Sequence, residues 1–157
     1  MMLHYEGIFF DEESVNIIHS LETEQLARIN DEIHCTFKYK PKDDEIFNEI
    51  VGKNFELYLV GYANDDNNSG FEILLPQELL PYYINYDEEN PEVLKIPHIT
   101  ASLSENAIAS NTKNLKFVPL EHPVKVTGKF GFWIKSGTEE YVSYEPYSFT
   151  KLTKHQK

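Results

Sequence analysis

The sequence predicts an α+β domain made of two pseudo-symmetric lobes, each an antiparallel sheet with flanking helices, set around a central cleft. Three observations lead there. Aromatic residues are abundant (ten Tyr, ten Phe, one Trp) and fall with β-branched ones in short runs, a pattern that suits strands. One order of elements, a His-containing strand, a helix, a long strand, a turn and a return strand, runs over about residues 33–75 and again over about 96–144. Two such units suggest facing halves, since a solenoid needs three or more. Finally, each half carries a His-x-Thr triplet on its first predicted strand. With 157 residues, 41% apolar, and no long linker, the chain reads as a single domain over 1–157.

The elements follow in order. Residues 3–10 (LHYEGIFF) form a strand. Asp11, Glu12, Glu13 and Ser14 open a helix whose first turn is acidic, which favours the helix dipole; Val15, Ile18 and Leu21 recur at helical spacing. Residues 33–39 make a second strand, closed by Pro41. Residues 44–51 predict a short amphipathic helix, with Ile46, Phe47 and Ile50 on one face and Gly52 past its end. Residues 55–63 are strongly β-prone, 64–70 (NDDNNSG) are turn chemistry, and 71–75 return as a strand. Residues 77–92 read as irregular. A strand over 95–103 and a short helix over 105–114 come next. Residues 124–135 and 139–144 form a hairpin around Ser136, Gly137 and Thr138, and the tail beyond Tyr147 is polar and basic.

Composition narrows the function. Fourteen basic against 26 acidic residues give a net charge of −12. That counts against long nucleic acid, which needs Lys and Arg against its phosphates, and against an anionic membrane. It leaves room for a small anion in one pocket, because net charge governs encounter rather than what a cleft can hold. Cys35 is the only cysteine, so neither an internal disulfide nor a cysteine-based zinc site is expected. No apolar run reaches the ~20 residues of a membrane span. The first residues lack a basic region followed by an apolar one, so no signal peptide is expected. The expectation is a reduced, cytoplasmic protein, monomeric or weakly dimeric.

The chemistry lies in the paired triplets His34-Cys35-Thr36 and His98-Ile99-Thr100. Side chains alternate along a strand, so His34 shares a face with Thr36, and His98 with Thr100. Cys35 and Ile99 point to the back. If the halves pair about a pseudo-two-fold, two His and two Thr converge on one cleft. Histidine exchanges protons near neutral pH, so one could act as base while the other acts as acid. Threonine hydroxyls can hold phosphate oxygens. On simple alternation, Lys38 shares the face of His34 and Thr36, where it would either contact phosphate or be solvated at the strand end. Ser102 and Ser104 take the corresponding face in the second half.

This arrangement resembles the 2H phosphoesterase superfamily, named for its paired His-x-Thr/Ser motifs, over roughly residues 3–145. The first motif, His34-Cys35-Thr36-Phe37-Lys38-Tyr39, is similar to that of the branch with the 2′,3′-cyclic-nucleotide phosphodiesterases and RNA-repair-like enzymes. The compact size and N-terminal strand are similar to phage phosphodiesterases that destroy cyclic oligonucleotide immune signals. The resemblance implies that His34, Thr36, His98 and Thr100 are catalytic and that no metal or other cofactor takes part. It implies hydrolysis of small cyclic nucleotides or cyclic oligonucleotides, in a bacterial cell or phage-infected host. Ala101, where the family often has a larger aliphatic residue, is a departure that bears on packing. Opening of 2′,3′-cyclic phosphates on RNA ends or nucleotides is the alternative activity. A non-catalytic binding module that sequesters its ligand, or a plain interaction domain, are the alternatives without activity.

The remaining candidates have two readings each. Tyr5 and Trp133 would stack on a base or belong to the core, and for Phe9 the core is favoured. Tyr82, Tyr83 and Tyr86 would form a flap over the cleft or cover a hairpin edge. His4, His19, His122 and His155 are read as surface residues, as are the acidic runs 43–45 and 87–89. Zinc at the two motif histidines is a poorer reading. Asp31 or Glu32 beside His34 has no counterpart beside His98.

Overall fold

The computed structural model describes residues 2–148. His155 and the end of the basic tail lie outside them. Strand β1 (Met2–Phe10) leads into helix α1 (Glu12–Leu21), whose N-cap Asp11 accepts from the Ser14 N–H at 2.8 Å. Then come β2 (Arg28–Ile29), β3 (His34–Tyr39), β4 (Asn54–Asn64), β5 (Asn68–Leu74), β6 (His98–Leu103), β7 (Val118–Ser136) and β8 (Glu139–Ser143). This is an α+β fold in which every strand pairing is antiparallel.

Two expected helices are much shorter. Over 44–51 there is only a 3-10 turn at Asp43–Glu45 followed by non-helical turns, and over 105–114 a 3-10 segment at Ala109–Asn114. The first lacks the length that helix nucleation needs, and the second is rich in Asn and Ser, which favour turns. The pair β2, which is only two residues long, has no sequence signal of its own. Among the described residues no helix is long and apolar enough to cross a membrane.

The strands form one continuous eight-stranded sheet rather than two separate ones. Its order is β2-β6-β5-β4-β7-β1-β3, with β8 also on β7. Outward from the central β4–β7 pair the two directions match: β5 then β6 on one side, β1 then β3 on the other. The sheet curls until β3 and β6, far apart along it, lie beside each other. Their back faces, with Cys35, Phe37, Ile99 and Ala101, enter one core with Ile8, Leu57, Phe71, Phe130 and Phe132. Burying such a side chain contributes about 1.5–3 kcal/mol, so this core outweighs any polar feature of the surface.

The two halves match in finer detail. Gly7 of β1 faces Thr36, and Gly70 of β5 faces Thr100. Beyond each Thr the register slips by one residue, at Phe37 in β3 and at Ala101 in β6. Both are β-bulges, and a bulge turns the following side chain to the other face. Each glycine permits a close backbone approach there. A Cβ on Gly7 would collide with the Cys35 carbonyl, and one on Gly70 would lie 2.5 Å from the Ile99 carbonyl oxygen. Gly7→Ala or Gly70→Ala is therefore expected to cost about 1–3 kcal/mol, read as a lowered urea midpoint. An unchanged midpoint would mean the strands part at no cost.

Candidate functional site

A cleft of ≈ 350 Å³ opens where β3 and β6 meet, and His34, Thr36, His98 and Thr100 all line it. Asn30, Tyr39, Asn85, Glu88, Lys95 and Lys113 line it too, with Ala109 and Ser110. Two of the lining asparagines are hydrogen-bonded to the strand backbones. Asn30 Nδ2 donates to the Thr100 carbonyl at 2.8 Å, and Asn85 Nδ2 donates to the Thr36 carbonyl at 3.2 Å.

Both imidazoles are oriented in the same way. His34 Nδ1 lies 3.3 Å from the Glu32 carbonyl oxygen, and His98 Nδ1 lies 2.7 Å from that of Ile96. Each carbonyl belongs to the residue two before its histidine. A carbonyl can only accept, so a hydrogen on Nδ1 suits both contacts and leaves Nε2 its lone pair; at His34 the Tyr5 hydroxyl also lies 3.5 Å from Nδ1. Among the described residues neither Nε2 has a hydrogen-bond partner.

Burial pushes the His34 pKa down to about 4, aided by the nearby His98 and opposed by the Glu32 carbonyl. Burial also lowers that of His98, helped by the charges of Lys95 and Lys113 and opposed by the Ile96 carbonyl. At neutral pH both rings are uncharged. Either can accept a proton at Nε2, and a negative ligand between them would raise the pKa of both and so allow one to donate. The cations that line the cleft are the two lysines, both paired with Glu88, rather than imidazolium.

The threonines differ. Thr36 has no side-chain partner among the described residues. Thr100 Oγ1 lies 2.7 Å from Thr112 Oγ1, which accepts from Asn68 Nδ2 at 3.0 Å. Since Thr112 Oγ1 accepts from Asn68, its hydroxyl hydrogen is available to donate to Thr100. The Thr100 hydrogen is then free to point elsewhere. Asn68 and Thr112 are buried, and Asn68 also donates to the Ile108 carbonyl at 2.9 Å, so this relay is fixed.

Two expected ligand-binding residues are elsewhere, for a common reason. The bulge after Thr36 puts Lys38 opposite Glu6, on the back face, where its Nζ lies 3.8 Å from Glu45. Tyr39 takes the place in the cleft that simple alternation assigns to Lys38. The bulge after Thr100 likewise puts Ser102 opposite Ser69. Ser102 is fully buried, donates to Glu22 Oε1 at 2.6 Å, and accepts from the Leu26 N–H.

Tyr5 and Trp133 do not line the cleft but continue from it. Tyr5 stacks on His34 with ring centroids 4.7 Å apart, and Trp133 stacks on Tyr5 at 5.7 Å and 4°. Phe9 completes the group at 5.9 Å from Tyr5. Three adjacent strands, β7, β1 and β3, thus carry one row of rings ending at a cleft histidine.

Other readings change as well. Tyr83 is buried against Phe37 and its hydroxyl donates to the Lys95 carbonyl, while Tyr82 packs on Phe47, so neither belongs to a flap. His19 is not a plain surface residue. Its Nδ1 lies 2.9 Å from Glu22, and its Nε2 lies 2.9 Å from the Asn30 carbonyl. Cys35 is a core residue whose thiol is pushed up to about 12 by burial, far from a thiolate. Glu88 is ion-paired to both cleft lysines rather than simply solvated. Among the described residues no group of three or more His, Cys, Asp or Glu is placed to hold a metal ion. Comparison of the chain with protein-family models and with curated proteins finds no match.

Proposed function

We propose that this cleft is the active site of a phosphodiesterase of the 2H kind that cuts small cyclic nucleotides, with cyclic oligonucleotide messengers as the favoured substrates. The observation that carries the reading is the pair of imidazoles lining one cavity with two threonines, each with its Nδ1 against the carbonyl two residues earlier. The matching bulges and glycines support a pair of bilobal, pseudo-symmetric halves, as the family resemblance implies.

His34, whose pKa burial pushes down to about 4, is the base. It takes a proton from water, or from a ribose 2′-OH, as that oxygen forms a bond to phosphorus. The P–O bond to the leaving oxygen breaks, and His98 gives that oxygen a proton. The negative phosphate raises the pKa of His98 on binding, which lets it carry the proton. Thr36 and Thr100 donate to the non-bridging oxygens. The rings beyond His34 offer a surface on which a base can stack. Destruction of a messenger would suit a counter-defence role in an infected bacterial cell.

A second reading is the opening of 2′,3′-cyclic phosphates. It is favoured by the cleft volume, which is near the small end of the ~300–1,000 Å³ of ligand pockets.

The test is incubation of the protein, with EDTA present, with cyclic mono-, di- and trinucleotides and 2′,3′-cyclic phosphates, followed by chromatography. Since both proton transfers are assigned to side chains, turnover should persist in EDTA. Tight binding with no product would instead select a sequestering module. Neither binding nor product would leave an interaction domain. Thr112→Val is expected to lower kcat/KM about tenfold by freeing the Thr100 hydroxyl to rotate, about the value of one hydrogen bond to a charged group. An unchanged kcat/KM would remove the relay from the mechanism.

A further inference from the structure

The wall of the cleft next to His98 contains a feature that proton transfer does not use. Lys95 stands three residues before His98, its backbone N–H bound to the Asn85 carbonyl at 2.9 Å. Lys113 comes from the 3-10 segment whose Thr112 holds Thr100. The two side chains are only 11% and 19% exposed. One carboxylate bridges them. Glu88 Oε1 lies 2.7 Å from Lys95 Nζ, and Oε2 lies 3.1 Å from Lys113 Nζ. The Glu88 side chain is itself 62% exposed, and it enters from the loop between Asp87 and Val93, whose backbones are hydrogen-bonded at 2.8 Å.

The two partners are held very differently. Lys95 lies three residues before His98 on the chain that enters β6, and Lys113 follows Thr112, whose hydroxyl meets Thr100, so both backbones are tied to the strand that carries the reacting centre. Glu88 reaches them from the solvent side. Glu88 is the carboxylate within ion-pair distance of both lysines, and the charges of Asp87 and Glu89 also act on Lys113. Two converging ammonium groups that hold both oxygens of a carboxylate can equally hold two oxygens of a phosphodiester.

We propose that Lys95 and Lys113 form a subsite for a second phosphate of the substrate, and that Glu88 occupies it until that phosphate displaces it. This rests on the phosphodiesterase reading and deepens it. A substrate with at least two phosphates, as in a cyclic dinucleotide, would use the subsite, whereas a 2′,3′-cyclic mononucleotide would not. A plain salt bridge that only anchors the loop predicts no such distinction.

The test uses the full chain in a His34→Ala background to suppress turnover, with binding measured by calorimetry. Cyclic di-AMP is the two-phosphate probe, and adenosine 2′,3′-cyclic phosphate the one-phosphate probe. Lys95→Gln with Lys113→Gln should weaken cyclic di-AMP about tenfold or more and the mononucleotide less than about threefold. Glu88→Gln, an exposed change that leaves folding intact, should tighten cyclic di-AMP several-fold. Equal losses for both probes, no change, or weaker binding in Glu88→Gln would overturn the subsite. Wild-type turnover of either probe separates the two ideas. If the wild type cuts a probe but the lysine changes do not discriminate, the subsite falls and the phosphodiesterase stands. If the wild type cuts neither and the background binds neither, both fall.

Discussion

His34→Ala and His98→Ala are each expected to lower kcat/KM by about 10²–10⁴, the range for loss of a positioned acid or base. The double variant should be little worse than the poorer single one, because the two histidines act in one proton-transfer step and their effects do not add. The pH profile is the sharper part. The rate constant kcat/KM reports the free protein, where His34 titrates near 4 and His98 below its usual 6.5. It should rise with pH as His34 loses its proton, pass through a maximum between about 4 and 6.5, and fall about tenfold per unit once His98 is neutral. The kcat profile should fall at higher pH than that, since bound phosphate raises the pKa of His98. A kcat/KM that is flat from pH 6 to 8 would remove the histidine acid from the mechanism. An additive loss in the double variant would show that the rings act in separate steps.

Much of this site was legible in the sequence, and the parts that were not have a definite cause. The His-x-Thr triplets could be placed on strands because residues 33–39 and 95–103 are β-rich, and alternation alone sends Cys35 and Ile99 to the back. Lys38 and Ser102 escaped that logic because alternation assumes an unbroken ladder. The bulges at Phe37 and Ala101 reverse every side chain beyond them. A signal was present in Gly7 and Gly70, since a glycine inside a strand marks a bulge or a close backbone approach. Which residue they would face was not readable before the pairing was known. Lys95, Lys113, Thr112 and Asn68 carry no such signal. Lys95 and Lys113 reach the cleft from a connecting segment and a 3-10 turn, Thr112 and Asn68 are buried behind Thr100, and no period links any of them to either motif. The row Trp133, Tyr5 and His34 depends on β7, β1 and β3 being neighbours, which is a fact of topology.

The pH dependence of folding should be dominated by Glu6, a group outside the cleft. Glu6 is fully buried on β1, next to Gly7, with Oε1 accepting from the Phe47 N–H at 3.3 Å and Oε2 without a partner among the described residues. Burial pushes its carboxyl up to about 8; Glu45 and Glu49 push the same way, while the Phe47 N–H and Lys38 oppose. The folded protein therefore keeps a proton that the unfolded chain releases near 4.5. The stabilisation is complete below that value and is lost as pH rises toward 8, by an amount on the order of 4 kcal/mol. His34 acts in the other direction. Its lowered pKa favours the fold above 6.5, and that contribution is lost as pH falls toward 4. Glu6→Gln keeps the shape of the group and has no proton to lose. Its stability relative to the wild type should be near zero at pH 5 and grow by up to about 1.4 kcal/mol per unit up to pH 8. The comparison cancels His34, which both proteins share. Urea unfolding at pH 5, 6.5 and 8 reads the difference directly, and parallel stability curves would show that Glu6 ionises without cost to the fold. Because Glu6 faces Lys38 across the bulge that sets Thr36, Glu6→Gln should also leave the acid-side maximum of kcat/KM unmoved while extending the range of alkaline pH in which the cleft stays assembled.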